Sequence, residues 1–145
     1  MIAPKLVVHT DVLRDHLYGM QSPSILRIVQ SKFFCYTTVF QAIELFSEAI
    51  TSVEREAMQN AMASMKLLGM NAKNAWEYGR LLKKNPQRRE LDILAAGLCI
   101  ESRLPLLTNQ RTAFKGIKGL LLVSPSLVRR EDSAKKILNL ARRKK

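Results

Sequence analysis

Glu90-Leu-Asp-Ile-Leu-Ala-Ala-Gly-Leu-Cys-Ile-Glu-Ser-Arg-Leu-Pro-Leu-Leu-Thr-Asn-Gln-Arg-Thr-Ala-Phe114 has the pattern of a helix, a short link, a buried strand and a polar turn. Leu91, Leu94, Ala95 and Leu98 recur at helical spacing, and Leu104 to Thr108 is a brief apolar run suited to a strand. Asp92 and Asn109 therefore stand at opposite ends of one αβ unit. Ligands of open parallel sheets bind beyond the carboxyl ends of the strands, so the turn after Thr108 is expected to wall a site.

The same alternation extends in both directions. Lys5 to His9 is β-rich, and Thr10-Asp11 is placed to cap a helix running to Tyr18. Pro23 opens a short helix over 25–30, and Lys32 to Tyr36 is a second apolar strand. Thr37 or Thr38 caps a helix whose Val39, Ala42, Ile43, Phe46 and Ile50 form the expected core face, with Gln41, Glu44 and Glu48 elsewhere. Thr51-Ser-Val-Glu54 has capping-box spacing and opens a helix expected to reach Gly69, whose methionines serve as adaptable core filler. A helix over 72–83 is expected to pair with it antiparallel, burying Ala72, Ala75, Trp76, Gly79 and Leu82. Gly119 to Val123 is a fourth strand, and a last helix carries Ile137, Leu138 and Ala141 on one face. Strands separated by long helical crossovers imply an α/β fold: three α/β/α layers around a parallel sheet of four to five strands.

With 145 residues, the chain fits one domain, expected over 1–128, followed by a basic helix or tail over 129–145. Cys35 and Cys99 lie in apolar runs without metal-ligand spacing and are expected to be buried thiols. No apolar run approaches the roughly 18 residues of a membrane span, and the N-terminus lacks signal-peptide order, so a cytoplasmic protein without membrane contact is expected. The net charge of +12 makes a polyanion the first partner to consider. Half of that excess falls in 129–145, where eight basic residues face only Glu131 and Asp132.

Asp11, Glu44 and Asp92 fall at or near element ends, where converging carboxylates suit Mg²⁺ or Mn²⁺. Taken singly they have plainer readings: an N-cap, a solvated helix face and a favourable charge in a first helical turn.

Taken in order, Val7-Val8-His9-Thr10-Asp11-Val12-Leu13, Thr37 to Leu45, Asp92 to Ala96, Leu106-Leu107-Thr108-Asn109 and Phe114-Lys115-Gly116-Ile117 resemble the PIN domain, particularly its VapC-like toxin branch, over roughly residues 5 to 125. The resemblance implies a metal-dependent ribonuclease that holds Mg²⁺ or Mn²⁺ with about four acidic residues, forms a homodimer and is neutralised by a small antitoxin. It places the central Glu on Glu44 and the third acid on Asp92. His9 stands where the first Asp is expected, with Asp11 two places on, and Ala113 stands at the late acidic position. His9 accordingly has two readings, a ligand favouring Mn²⁺ or another transition ion, or an imidazolium paired with Glu44 or Asp92. The catalytic and metal set implied is Glu44, Asp92 and Asp11 with His9 as a further ligand. Thr10, Thr108, Asn109, Gln110, Arg88, Arg89 and Arg111 are the implied RNA contacts. Two functions follow: a working ribonuclease, or a PIN fold kept as a nucleic-acid- or protein-binding module.

Overall fold

The computed structural model describes residues 4–130 and 132–143; Met1 to Ala3, Glu131 and the tail end Lys144-Lys145 lie outside the described residues. In chain order the elements are β1 (Lys5–Val8), α1 (Thr10–Tyr18), α2 (Ile25–Gln30), β2 (Phe34–Thr38), α3 (Val39–Ser47), α4 (Ser52–Ala63) and β3 (Lys66–Leu68). A single 3₁₀ turn (Ala72–Asn74) leads into α5 (Ala75–Lys84), α6 (Glu90–Ser102), β4 (Leu106–Leu107), α7 (Arg111–Phe114), β5 (Leu122–Val123), α8 (Pro125–Val128) and α9 (Ser133–Arg143). The five strands form one parallel sheet in the order β3-β2-β1-β4-β5.

Successive strand residues point to opposite faces, and β1 shows the consequence. Leu6 and Val8 join a core with α1, α2, Leu45 of α3, Met58 of α4, Val128 and Ile137. Val7 points the other way, into a second core built with α6, Phe114 of α7 and Ile117. Helices thus cover both faces, giving the three-layer α/β/α architecture expected. The final basic helix is docked on the first core through Ile137, which is 1% exposed.

Several local expectations are corrected. The helix from Thr51 ends at Ala63, where the Ser64 hydroxyl donates to the Ala61 carbonyl, and Lys66–Leu68 pairs with Tyr36–Thr38 as an edge strand. Three residues are too few for their periodicity to announce a strand. α5 packs on α6, whose Gly97 lets the Tyr78 ring approach, so Tyr78 is buried and Trp76 is 75% exposed. On α3, Ile43 faces outward and Gln41 and Glu44 are buried, because the helix turns these toward the sheet end and α6; the helix stops at Ser47, so Ile50 lies beyond it and is exposed. Gln41 has a specific reason to be inside: it closes a capping box with Thr38 and accepts from the Thr37 hydroxyl at 3.1 Å. Cys35 and Cys99 are buried free thiols, and burial pushes the Cys35 pKa up to about 12 and raises that of Cys99 as well. No described helix is long and apolar enough to cross a membrane.

Candidate functional site

The strand order reverses between β1 and β4, which makes their carboxyl ends the natural crevice of the sheet. Val7 pairs with Leu106 and Val8 with Leu107, so His9 and Thr108 leave the sheet side by side; the His9 amide donates to the Leu107 carbonyl at 3.0 Å. His9 is also the N-cap of α1, held in extended backbone (φ −78°, ψ 160°), and its ring stands edge-on to Phe114 with centroids 4.9 Å apart. Glu44 comes from the buried side of α3, two turns beyond the Thr38 cap. Asp92 lies in the first turn of α6, where a carboxylate is favoured by the helix dipole.

Ligand atoms of His9, Glu44 and Asp92 lie within 4.8 Å of one another. His9 Nε2 is 3.2 Å from Asp92 Oδ1, and two atoms bound side by side to one ion at about 2.1 Å stand roughly 3 Å apart, so the separations suit a shared cation. Asp11 is joined to this group from behind. Its Oδ1 is 3.0 Å from His9 Nδ1, while its Oδ2 accepts from the Thr108 hydroxyl at 3.1 Å and the Asn109 amide at 2.7 Å. Thr108 is itself fixed, its Oγ1 accepting from the Gln110 amide at 3.0 Å.

Both ring nitrogens of His9 therefore face carboxylate oxygens. A neutral imidazole can donate to only one of them, so the arrangement calls for an imidazolium. The 3.5 Å approach of the Asp11 amide to Nδ1 is too long to make Nδ1 an acceptor against a carboxylate at 3.0 Å. Burial alone lowers the His9 pKa, but hydrogen bonds and charge from Asp11 and Asp92 outweigh it and the net shift is upward. For Asp11, burial acts to raise the pKa, and His9, Asn109 and Thr108 together bring it below the ordinary value.

Cations complete the rim. The Arg89 guanidinium, at the N-cap of α6, bonds Glu44 Oε2 and lies 3.9 Å from Asp92 Oδ2. Arg14 pairs with Glu48 and lies 3.7 Å from Glu44. Sequence reasoning missed Arg14, although its place one turn after Asp11 on α1 was a usable sign. Of the implied RNA contacts, Asn109, Gln110 and Arg111 are exposed at the crevice turn. Arg88 is committed elsewhere, donating to the carbonyls of Ala113 and Lys115 and so tying down the end of α7. Thr10 is wholly buried; its Oγ1 and Gln41 Nε2 have no hydrogen-bond partner among the described residues.

A parallel sheet with helices on both faces and a carboxylate–imidazole cluster where its strand order reverses defines an α/β protein built around a small polar crevice. Among solved structures the fold is the VapC-like PIN fold. The chain is similar to the VapBC2 structure of Rickettsia felis bound to a DNA fragment from its promoter, with a TM-score of 0.69 at 15% identity over 83% of this chain and 98% of that one. It is similar to a toxin–antitoxin complex from Klebsiella pneumoniae, with a TM-score of 0.63 at 17% identity over 83% and 97%. It is also similar to VapBC-5 of Mycobacterium tuberculosis, a member of the VapBC family of toxin–antitoxin systems, with a TM-score of 0.55 at 19% identity over 83% and 98%. No protein-family model and no curated protein sequence matches the chain.

Proposed function

We propose that this protein is a VapC-type ribonuclease whose divalent ion is held by His9, Glu44 and Asp92, the ion taking the place of the Nε2 proton that His9 otherwise shares with Asp92. The observation that carries the reading is the convergence of those three ligand atoms, from three distant segments, at the switch point of the sheet. One imidazole and two carboxylates suit Mn²⁺ better than Mg²⁺, which prefers oxygen alone. Bound there, the ion would polarise a phosphoryl oxygen and lower the pKa of an attacking water. The chain's own groups do the rest. Asp11, fixed by Thr108 and Asn109, orients the His9 ring through Nδ1, as an outer carboxylate does for a metal-bound histidine. Arg89 neutralises Glu44 and, being more than half exposed, can turn to a substrate phosphate. A small antitoxin is the partner that goes with this reading, supported by the toxin–antitoxin systems among the structures of the same fold, and a homodimer goes with the family resemblance alone.

One observation favours a second reading, a catalytically silent module. The His9 imidazolium already bridges Asp11 and Asp92, and Arg89 already compensates Glu44, so the chain supplies internally the positive charge an ion would bring.

Calorimetric titration with Mn²⁺ and Mg²⁺, alongside cleavage of single-stranded RNA, separates them. The ribonuclease reading expects Mn²⁺ to bind more tightly than Mg²⁺, loss of binding and cleavage in Glu44→Gln and Asp92→Asn, and about 10- to 100-fold weaker Mn²⁺ affinity in Asp11→Asn. Native protein that neither binds nor cleaves, with both gained in His9→Asp, establishes the silent module.

A further inference from the structure

Trp76 stands on the outer face of α5 with 75% of its surface in solvent, in the first turn of a helix that ends in Lys83 and Lys84. The helical repeat of 3.6 residues puts Trp76, Arg80 and Lys83 in one row, with Gly79 and Lys84 flanking it. Between the indole and the basic side chains runs a groove of about 520 Å³ lined by Ala75, Trp76, Gly79, Arg80, Lys83 and Lys84. Its floor is open because Gly79 carries no side chain and a Cβ built there would meet nothing within 4 Å. Arg80 is partly compensated by Glu77 at 3.4 Å, whereas Lys83 and Lys84 form no ion pair with any described residue.

Helix stability accounts for part of this face only. Lys83 and Lys84 suit the negative end of the dipole, but a bare indole costs burial and adds nothing to the helix. A planar aromatic beside an open trough, with cations one and two turns on, matches a strand whose bases stack while its phosphates are neutralised. We infer that this face of α5 is a docking surface for single-stranded nucleic acid, with a base stacked on Trp76 and the backbone led over Arg80, Lys83 and Lys84. From Trp76 to Lys84 the helix rises about 12 Å, room for two or three nucleotides. Lys84 is followed, after residues 85–88, by Arg89 at the crevice rim. The surface is independent of catalysis: it needs neither the ion nor an active His9 cluster.

Trp76 is the sole tryptophan, so intrinsic fluorescence reports on this position alone. The test is titration of the 145-residue protein with a twelve-nucleotide oligouridylate and oligoadenylate in chelator, where metal-dependent cleavage is silent. Saturable quenching is expected, with the same midpoint as anisotropy of labelled RNA. Trp76→Ala should weaken binding roughly 5- to 100-fold and Trp76→Phe should restore most of it, with Mn²⁺ titration unchanged in both. Lys83→Ala combined with Lys84→Ala should reduce the slope of log affinity against log salt by about 1.4. Three results each overturn the inference: RNA saturating anisotropy without quenching, an abasic oligomer binding as tightly, or oligoglutamate quenching as well as RNA. So does a concentration-dependent blue shift with doubled mass in sedimentation, which would give the face to a second copy. Loss of cleavage in Glu44→Gln with quenching retained shows that the surface stands whatever the crevice does.

Discussion

His9 concentrates the chemistry of this molecule in one ring. A buried imidazole between two carboxylates is stable only if it carries charge that both carboxylates share, because an unpaired carboxylate in a desolvated pocket is costly. The pH dependence has a definite sign. The His9 pKa is raised in the fold, so its contribution, about 1 to 3 kcal/mol for a charged buried hydrogen-bonded group, is complete below the ordinary value of 6.5 and is lost as pH rises through the folded value. Asp11 acts in reverse: its pKa is lowered, so its contribution is present above 3.8 and disappears as pH falls through the folded value. Urea midpoints of the chelated protein should therefore be highest between the two limits and fall on the alkaline side. His9→Asn should remove the alkaline decline; an unchanged decline would mean that the ring is not the titrating bridge.

At the level of elements, α6 does the most positioning. It is apolar on nearly every side and buried on nearly every side, as a helix between a sheet and other helices should be. Its Ile93, Ala96 and Cys99 meet the second core, while Asp92 is aimed at the crevice from its first turn. Gly97 is the point where α5 comes closest: a Cβ there would lie 2.6 Å from the Tyr78 ring, which is held in place by its hydroxyl donating to Glu101 at 2.5 Å. Gly97→Ala is thus expected to push α5 outward and cost about 1 to 3 kcal/mol in denaturant unfolding. The compensating pair Gly97→Ala with Tyr78→Leu should recover part of that loss, and strict additivity of the two would contradict direct contact.

For the whole molecule, the question is whether the basic C-terminal helix is part of the fold or an attachment. Ile137 is buried in the same cluster as Leu6 and Val128, and the Lys32 ammonium donates to the carbonyls of Val128 and Arg130, tying the approach to α9 onto the body. Ile137→Ala should consequently lower global stability by about 2 to 5 kcal/mol within one cooperative transition. A small effect, or a separate early transition confined to the helix, would make α9 an independent appendage.

Local spacing was enough to set out most of the architecture. Apolar β runs, a cap at Thr37 or Thr38, another at Thr51 and the long crossovers imply a parallel sheet covered on both faces, because hydrophobic period and capping chemistry are properties of neighbouring residues. Places near element ends drew attention to Asp11, Glu44 and Asp92 together, and it was the resemblance to the PIN domain, not spacing, that set Glu44 and Asp92 apart. Which way a side chain faces was a different matter. Ile43 outside with Glu44 inside, Trp76 in solvent above a buried Tyr78, Arg88 consumed by the carbonyls of Ala113 and Lys115, and Asp11 standing behind His9 all depend on segments far away in the chain. The edge strand Lys66–Leu68 exists because β2 offers it a ladder, not because three residues favour extension. The sequence by itself determined the elements and the chemical groups available; the tertiary structure alone decided which of those groups meet, since burial and charge compensation belong to the packed neighbourhood and not to the chain.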